Sequence, residues 1–171
     1  DRGADVNATY GGGFTPLMLA VLYDNPGLAR SLIEAGAQTE ALAPEGESVL
    51  GLAAQKGHVD TLAALIDAGV PLEQLDLEGA TALHRAAMST DFETGAVLID
   101  RGADVNATYG GGFTPLILAV LYDNPGSARR LIEAGARTDA LAPEGESLLG
   151  LAAQKGHLDT LVALLEAGVP L

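Results

Sequence analysis

The sequence predicts an all-α solenoid in which short helix-turn-helix units stack side by side and are joined by loops. Glycine recurs at a fixed step of 33 residues from Gly3 to Gly168, and a leucine series keeps the same step from Leu17 to Leu149. A fixed period of this length is typical of repeat architectures. Because one unit is too small to bury its own apolar face, the stability must come from stacking against neighbouring units.

Each unit carries the start signals of two helices. Thr15 followed by Pro16 places a capping hydroxyl before a proline in the first turn, which predicts helix one from there to about Tyr23. Asn25 followed by Pro26 repeats the signal and predicts the start of helix two. The two helices are therefore separated by only a short turn.

Helix two shows its apolar stripe most plainly in the second unit. Val59, Leu62, Ala63 and Ile66 follow the i, i+3, i+4, i+7 spacing of an amphipathic helix. Gly69 comes directly after the stripe. A glycine just past the last turn adopts the left-handed conformation that ends a helix, so the 33-residue glycine series marks the helix ends.

The repeat boundaries divide residues 1–171 into one array. Residues 1–9 are the tail of a preceding unit, and five units follow at residues 10–42, 43–75, 76–108, 109–141 and 142–171. A longer period lies above this one, because residues 1–72 recur as residues 100–171 with ten of the 72 pairs different. The order of units is A, B, C, A, B, which indicates a recent duplication, a designed sequence or a segment of a longer array.

The motifs resemble those of the ankyrin repeat family, whose units have a period of 33 residues and a TPLHxA pattern. The chain reads TPLMLA from Thr15, SVLGLA from Ser48, TALHRA from Thr81, TPLILA from Thr114 and SLLGLA from Ser147. The loop sequence GADVNA, at Gly3 and Gly102, matches the family's hairpin sequence, so the resemblance implies that β-hairpin loops join the helix-turn-helix units. The resemblance covers nearly the whole chain and implies an array that binds other proteins.

The charge balance argues against several classes of partner. The chain has 23 acidic and 9 basic residues, for a formal net charge of −14. Phosphate backbones and anionic lipids are repelled by such a charge, so we expect neither nucleic acid nor membrane as partner. No apolar run approaches the roughly 20 residues that cross a bilayer, and the given residues show no signal peptide.

No pattern predicts an enzyme, a cofactor site or a metal site. The triple glycine at residues 11–13 lacks the lysine of a phosphate-binding loop, so we interpret it as a tight turn. His58, His84 and His157 lie in separate units, and the resemblance assigns them hydrogen bonds to nearby backbone. The chain has no cysteine, and its acidic residues are scattered at repeat spacing.

Two glycines interrupt helix one of the B units. Gly51 and Gly150 stand where glycine costs about 1 kcal/mol relative to alanine. Close packing by a bulky neighbour would explain them. We expect that neighbour to be Met18 or Ile117 of the adjoining unit, with a ligand side chain as the alternative.

The resemblance places a recognition surface on the concave side of the array, at the hairpin tips and the exposed edge of helix one. The matching residues are Phe14, Leu22, Tyr23, Glu45, Glu47, Lys56, Glu78, Met88, Phe113, Leu121, Tyr122, Glu144, Glu146 and Lys155. Aromatic side chains are frequent anchors at interfaces, and the acidic turns favour a basic partner. We therefore predict a scaffold or adaptor that holds another protein or peptide on this face.

A structural function is the alternative. Stacked repeats need polar caps at their ends, and neither end of this sequence supplies one. Both end faces should then be apolar, and copies of the chain would associate end to end into a filament. A segment of a longer array would look the same in sequence, so both functions stay open at this stage.

Overall fold

The computed structural model describes residues 5–89 and 91–170, and ten short helices make up about half of this part of the chain. The helices are α1 Pro16–Leu22, α2 Pro26–Glu34, α3 Val49–Lys56, α4 Val59–Asp67, α5 Ala82–Met88, α6 Glu93–Asp100, α7 Pro115–Leu121, α8 Pro125–Glu133, α9 Leu148–Lys155 and α10 Leu158–Glu166. Within the described ranges there is no strand longer than an isolated bridge. The prediction of an all-α repeat fold is confirmed.

The helices form five consecutive pairs, numbered here from pair 1 (α1 and α2) to pair 5 (α9 and α10). The first helices pack in the order α1, α3, α5, α7 and α9, and the second helices pack in the order α2, α4, α6, α8 and α10. The array is thus a solenoid with two helical layers. We call the layer of first helices, together with the hairpin loops before them, the inner layer.

The predicted helix caps are confirmed. The Thr15 hydroxyl accepts a hydrogen bond of 3.3 Å from the backbone N–H of Met18, and the Asn25 side chain accepts one of 3.0 Å from Leu28. At the other end, Gly69 follows α4 with a φ of 90°. This left-handed conformation releases the chain into the next loop, as the glycine period indicates.

The hairpin loops are tighter than full β-hairpins. Tyr10 and Phe14 exchange both backbone hydrogen bonds, at 2.8 and 3.1 Å, and form a single antiparallel bridge. The three glycines between them have φ of 47°, 97° and 104°, which glycine alone adopts without strain in succession. The interpretation of the triple glycine as a turn is confirmed.

The periodic leucines and alanines form the core between the pairs. Leu17, Leu50 and Leu116 are at most 1% exposed, and they pack with the alanine series that starts at Ala20. Small alanine side chains let neighbouring helices approach, while the leucines fill the space between the two layers. The 33-residue periods of the sequence are therefore packing positions.

The neighbour of Gly51 differs from our expectation, and the prediction of Met18 in that place is wrong. A Cβ atom at Gly51 would lie 3.0 Å from Oγ of Ser48 and 3.6 Å from Cγ of Arg85, on the following pair. At Gly150, within the part of the chain that the structure describes, the one neighbour within 4 Å of a Cβ is Oγ of the capping serine of the same helix, at 3.2 Å. That serine accepts the glycine N–H at 3.1 Å in both helices, and it crowds the site where a Cβ would stand.

The histidines of the B units join neighbouring pairs. Nδ1 of His58 donates to the carbonyl oxygen of Val21 at 2.9 Å, and Nδ1 of His157 does the same to Val120 at 2.8 Å. These carbonyls belong to the last turn of α1 and α7, where no N–H four residues later completes the helical bond. Each also accepts the backbone N–H of an aspartate three residues later, Asp24 at 3.2 Å and Asp123 at 3.4 Å. The predicted structural role of these two histidines is confirmed.

Candidate partner-binding grooves

An open groove lies between pair 1 and pair 2 on the inner layer. We call it groove 1, and it is lined by Phe14, Leu22, Ala43, Glu45, Glu47, Leu52, Gln55 and Lys56. Pair 1 supplies an apolar wall, and pair 2 supplies a polar wall. The buried side chains of Ala43 and Leu52 make an apolar floor.

The same groove occurs a second time, between pair 4 and pair 5. We call it groove 2, and it is lined by Phe113, Leu121, Ala142, Pro143, Glu144, Glu146, Leu151, Gln154 and Lys155. Every residue type that lines groove 1 recurs in groove 2 at an offset of 99 residues. The longer sequence period therefore duplicates a surface as well as a fold.

Local structure fixes the walls of groove 1. Phe14 closes the glycine turn, and its half-buried ring packs on the core, while Leu22 is the last residue of α1. On the other wall, the carbonyl of Glu47 accepts a hydrogen bond of 2.8 Å from the Ala43 N–H, just before the cap of α3. Lys56 ends the same helix, so each side chain extends from an anchored backbone position.

The groove carboxylates are not neutralised within the described residues. Glu45 and Lys56 are exposed and Glu47 is half-buried, and none of the three has an ion-pair partner in residues 5–89 or 91–170. Two negative charges and one positive charge thus face solvent beside an apolar wall. This combination offers an apolar contact and an electrostatic contact to the same short segment of a partner.

Pair 3 carries an internal ion-pair network at the corresponding place. Arg85 stands 33 residues after Leu52, and its Nε donates to Oδ2 of Asp76 at 2.7 Å while Nη2 donates to Oε2 of Glu78 at 2.8 Å. Burial lowers the pKa of Arg85, but the hydrogen bonds to the two carboxylates outweigh it and leave the pKa raised. The Glu78 carboxylate is therefore already in an ion pair with Arg85.

Two matches to known protein families classify the chain. Residues 17–109 match the family described as ankyrin repeats (3 copies), and residues 98–152 match ankyrin repeats (many copies). The first match alone covers more than half of the chain.

This chain belongs to the ankyrin repeat family. Ankyrin repeats generally mediate interactions between proteins, and the family is generally a non-enzymatic interaction module. Comparison with curated proteins finds no match.

The ankyrin array brings some of the predicted binding residues together and separates others. Of the fourteen, those in groove 1 are Phe14, Leu22, Glu45, Glu47 and Lys56, and those in groove 2 are Phe113, Leu121, Glu144, Glu146 and Lys155. Tyr23 and Tyr122 cap α1 and α7 outside the groove linings and are 76% and 53% exposed. Met88 is half-buried against the core.

Sequence reasoning missed the floor of the grooves. Ala43 and Leu52 are core-like residues in composition, and nothing about either residue alone indicates a binding surface. A comparison of the units would have given a signal for Leu52, because the C unit has Arg85 at that position. Because a charged residue replaces a buried leucine there, pair 3 is the unit in which the inner surface of the ankyrin array differs from that of its neighbours.

The described part of the ankyrin array holds no group of three or more histidine, aspartate or glutamate side chains that could bind a metal ion. No helix in the described ranges has both the length and the apolar character needed to cross a membrane.

The third histidine, His84, is buried in pair 3. Its Nε2 donates a hydrogen bond of 3.1 Å to the carbonyl oxygen of Ala107, and the Tyr109 ring lies edge-on to it with the ring centres 4.9 Å apart.

Proposed function

We propose that this ankyrin array is an adaptor that holds a partner protein in grooves 1 and 2 by a segment carrying apolar and basic residues. The single observation behind the proposal is the groove itself, in which an apolar wall faces glutamates that have no cation of their own among the described residues. A protein that buries an apolar side chain between these walls would bring its basic residues next to the glutamates.

The apolar wall supplies most of the binding energy in this proposal. Phe14 and Leu22 are half-buried, so each keeps apolar area that a ligand side chain would remove from water. Burial of apolar area contributes about 25 cal/mol per Å². The floor made by Leu52 and Ala43 is already formed, so little ordering of the array would oppose binding.

The charges of the grooves and of the whole chain determine which partner segments are favoured. Exposed ion pairs contribute only about 0 to 1 kcal/mol each, so the glutamates would add little affinity by themselves. A net charge of −14 nevertheless accelerates the approach of basic segments and disfavours acidic ones. Lys56 gives the groove one positive contact, which suits a backbone carbonyl or an acidic residue at one end of the bound segment.

Selection of peptides from a random library of 12-residue sequences displayed on phage tests the proposal. We expect the folded chain to enrich sequences with arginine or lysine beside leucine or an aromatic residue. Their binding, measured by fluorescence anisotropy, should weaken when glutamine replaces the four groove glutamates, Glu45, Glu47, Glu144 and Glu146. Enrichment of acidic sequences, or of none, would overturn the proposal.

A matched variant controls for net charge. It replaces four acidic residues away from the grooves by their amides, at Glu34, Glu40, Glu133 and Asp139. This variant loses the same number of charges as the groove variant, so a general charge effect would weaken binding equally in both. Equal weakening would show that the grooves are not the binding site.

A second candidate is end-to-end association of copies of the chain. It is supported by the outer face of pair 5, where Leu158, Val162 and Leu165 are 67%, 39% and 50% exposed. At the opposite end, Tyr10 and Leu28 are 77% and 46% exposed. Light scattering over a concentration series tests this function: particles that grow with concentration would support it, and a constant monomer mass would exclude it.

A further inference from the structure

We propose that grooves 1 and 2 are two equivalent sites, which bind two copies of the same apolar and basic segment in one bivalent partner. The inference rests on the proposed function, since it takes the grooves as the binding surface. It adds the number of sites, their equivalence and the distance between the two segments of the partner.

The substitutions between the two copies leave the grooves unchanged. The ten differing pairs are Met18/Ile117, Leu28/Ser127, Ser31/Arg130, Gln38/Arg137, Glu40/Asp139, Val49/Leu148, Val59/Leu158, Ala63/Val162, Ile66/Leu165 and Asp67/Glu166. No lining residue of either groove is among them. Both grooves therefore offer the same chemical groups to a ligand.

The floors and the apolar walls of the two grooves are also alike in burial. Ala43 and Ala142 are each 7% exposed, and Leu52 and Leu151 are each 4% exposed, so the floors are buried to the same extent. The phenylalanine and the leucine of the apolar wall are half-buried in both copies. A segment that fits groove 1 should fit groove 2 with similar affinity.

Pair 3 separates the two sites and gives the inner surface a different character there. Arg85 stands where groove 1 has Leu52, and Ala80 stands where it has Glu47. Arg85 forms ion pairs with both Glu78 and the buried Asp76, so the carboxylates of pair 3 already share a cation. The inner surface thus presents two separate acidic and apolar grooves, one on each side of pair 3.

The stacking of the helices sets the separation of the sites. Groove 2 lies three packing steps along the inner layer from groove 1, through the contacts of α1 with α3, α3 with α5 and α5 with α7. Packed helices lie about 8 to 10 Å apart, which places the grooves about 24 to 30 Å apart. A partner with two segments must span this distance to occupy both grooves.

Tandem peptides test the bivalent arrangement. The probe is the tightest peptide from the phage selection, synthesised alone and as two copies joined by Gly/Ser linkers. A linker of about 24 residues has a root-mean-square length of about 27 Å and matches the spacing. We expect it to strengthen binding on the order of 100-fold over the single peptide.

A short linker is the matched control. A linker of about four residues spans at most about 14 Å, so it cannot join the two grooves. This tandem peptide should gain no more than about twofold, because it merely offers two chances to bind one site. An equal gain with both linkers would overturn the inference.

Variants of one groove at a time test equivalence. Calorimetry should find two single peptides bound per chain in the unmodified protein. It should find one per chain in the variant E45R/E47R and also one in the mirrored variant E144R/E146R. Circular dichroism of each variant checks that the helices remain folded, and E34R/E40R, with the same change of charge, should still bind two.

The outcomes separate the two proposals. If one single peptide binds per chain, or if the long tandem keeps its gain in E144R/E146R, the groove binds partners but the equivalence is wrong. If the binding of the single peptide is unchanged with both grooves altered, the proposed function itself fails, and the bivalent arrangement fails with it.

Discussion

Thr61 donates a hydrogen bond of 2.7 Å from its hydroxyl to Oδ1 of Asp24, and the bond joins α4 of pair 2 to the turn after α1 of pair 1. Asp24 has a φ of 50°, a left-handed conformation that aspartate tolerates better than most residues. The bond recurs at 2.7 Å between Thr160 and Asp123, whose φ is 52°. The pairs that enclose each groove are thus joined by the same side-chain contact.

Replacement of Thr61 by valine should lower the free energy of unfolding by about 1 kcal/mol, because a buried hydroxyl bond is lost at nearly constant volume. Urea unfolding followed by circular dichroism measures the change. T160V should have a similar effect, and the two changes should add to within about 0.5 kcal/mol because the sites are distant. An unchanged urea midpoint for both variants would mean that the bonds do not stabilise the array.

Replacement of Arg85 by leucine, the residue of the B units, should lower the free energy of unfolding by about 3 kcal/mol. The side chain of Asp76 is only 1% exposed, so the loss of its cation leaves a buried negative charge. Chemical denaturation measures the loss.

The control for R85L is R101A, which removes the exposed ion pair of Arg101 with Asp67. The two side chains are 39% and 53% exposed, so this change should cost less than about 1 kcal/mol. An equal loss of unfolding free energy in R85L and R101A would show that Arg85 does not stabilise the array by compensating the buried charge of Asp76.

Protonation of His84 should destabilise the array below pH 6.5. The pKa of His84 is lowered from its ordinary value of 6.5, mainly because burial disfavours the charged ring. Between the lowered pKa and pH 6.5 the unfolded chain binds a proton that the folded chain does not. The contribution of the neutral histidine to stability is therefore complete above pH 6.5 and falls as the pH falls toward the folded-state pKa.

H84M tests this prediction, because methionine occupies the matching position 18 and its sulfur accepts the Thr15 N–H at 3.4 Å. Urea midpoints at pH 7.5 and pH 5.5 give the pH dependence of each protein. The unmodified protein should lose more stability than H84M over this interval. Parallel loss in both proteins would assign the pH dependence to other groups.

Replacement of Tyr23 and Tyr122 by alanine should weaken partner binding and leave the fold intact. Both rings are mostly exposed next to the leucines of the apolar walls, so their removal leaves no cavity in the core. Anisotropy of a selected peptide measures binding, and circular dichroism measures helix content. Loss of helical signal in Y23A/Y122A would show that the rings belong to the core.

The sequence predicted the helices because their signals are local. Thr15 caps the N–H three residues later, and Gly69 adopts its left-handed conformation directly after a helix. The period of 33 then places every unit, since each stacks on the next. The residues of the apolar wall and the acidic turns were expected from the resemblance to ankyrin repeats, which places recognition at the hairpin tips and the exposed edge of helix one.

Features that depend on the packing of one unit against another could not be predicted. Arg85 follows Asp76 by nine residues, and only the folded loop brings the two charges together. The space beside Gly51 is closed by its own capping serine and by Arg85, which depends on how α5 crosses α3. The spacing in the sequence identifies which positions stack in neighbouring pairs, but it does not identify which side chains contact each other between the pairs.

The ten differences between the two copies help pair 3 to pack against the correct neighbours during folding. Pairs 1 and 2 are nearly identical to pairs 4 and 5, so pair 3 could pack against the wrong copy. Several lie where pair 3 packs: Asp67 pairs with Arg101 at 2.5 Å, and Arg130 pairs with Asp100. Pair 5 presents Val162 where pair 2 has Ala63. That valine is 39% exposed on the outer face of pair 5. If pair 1 took the place of pair 4, Ser31 would stand where Arg130 is, and Asp100 would lose its cation. The exposed ion pair therefore favours the correct register by up to about 1 kcal/mol during refolding, when repeat proteins are prone to misassembly.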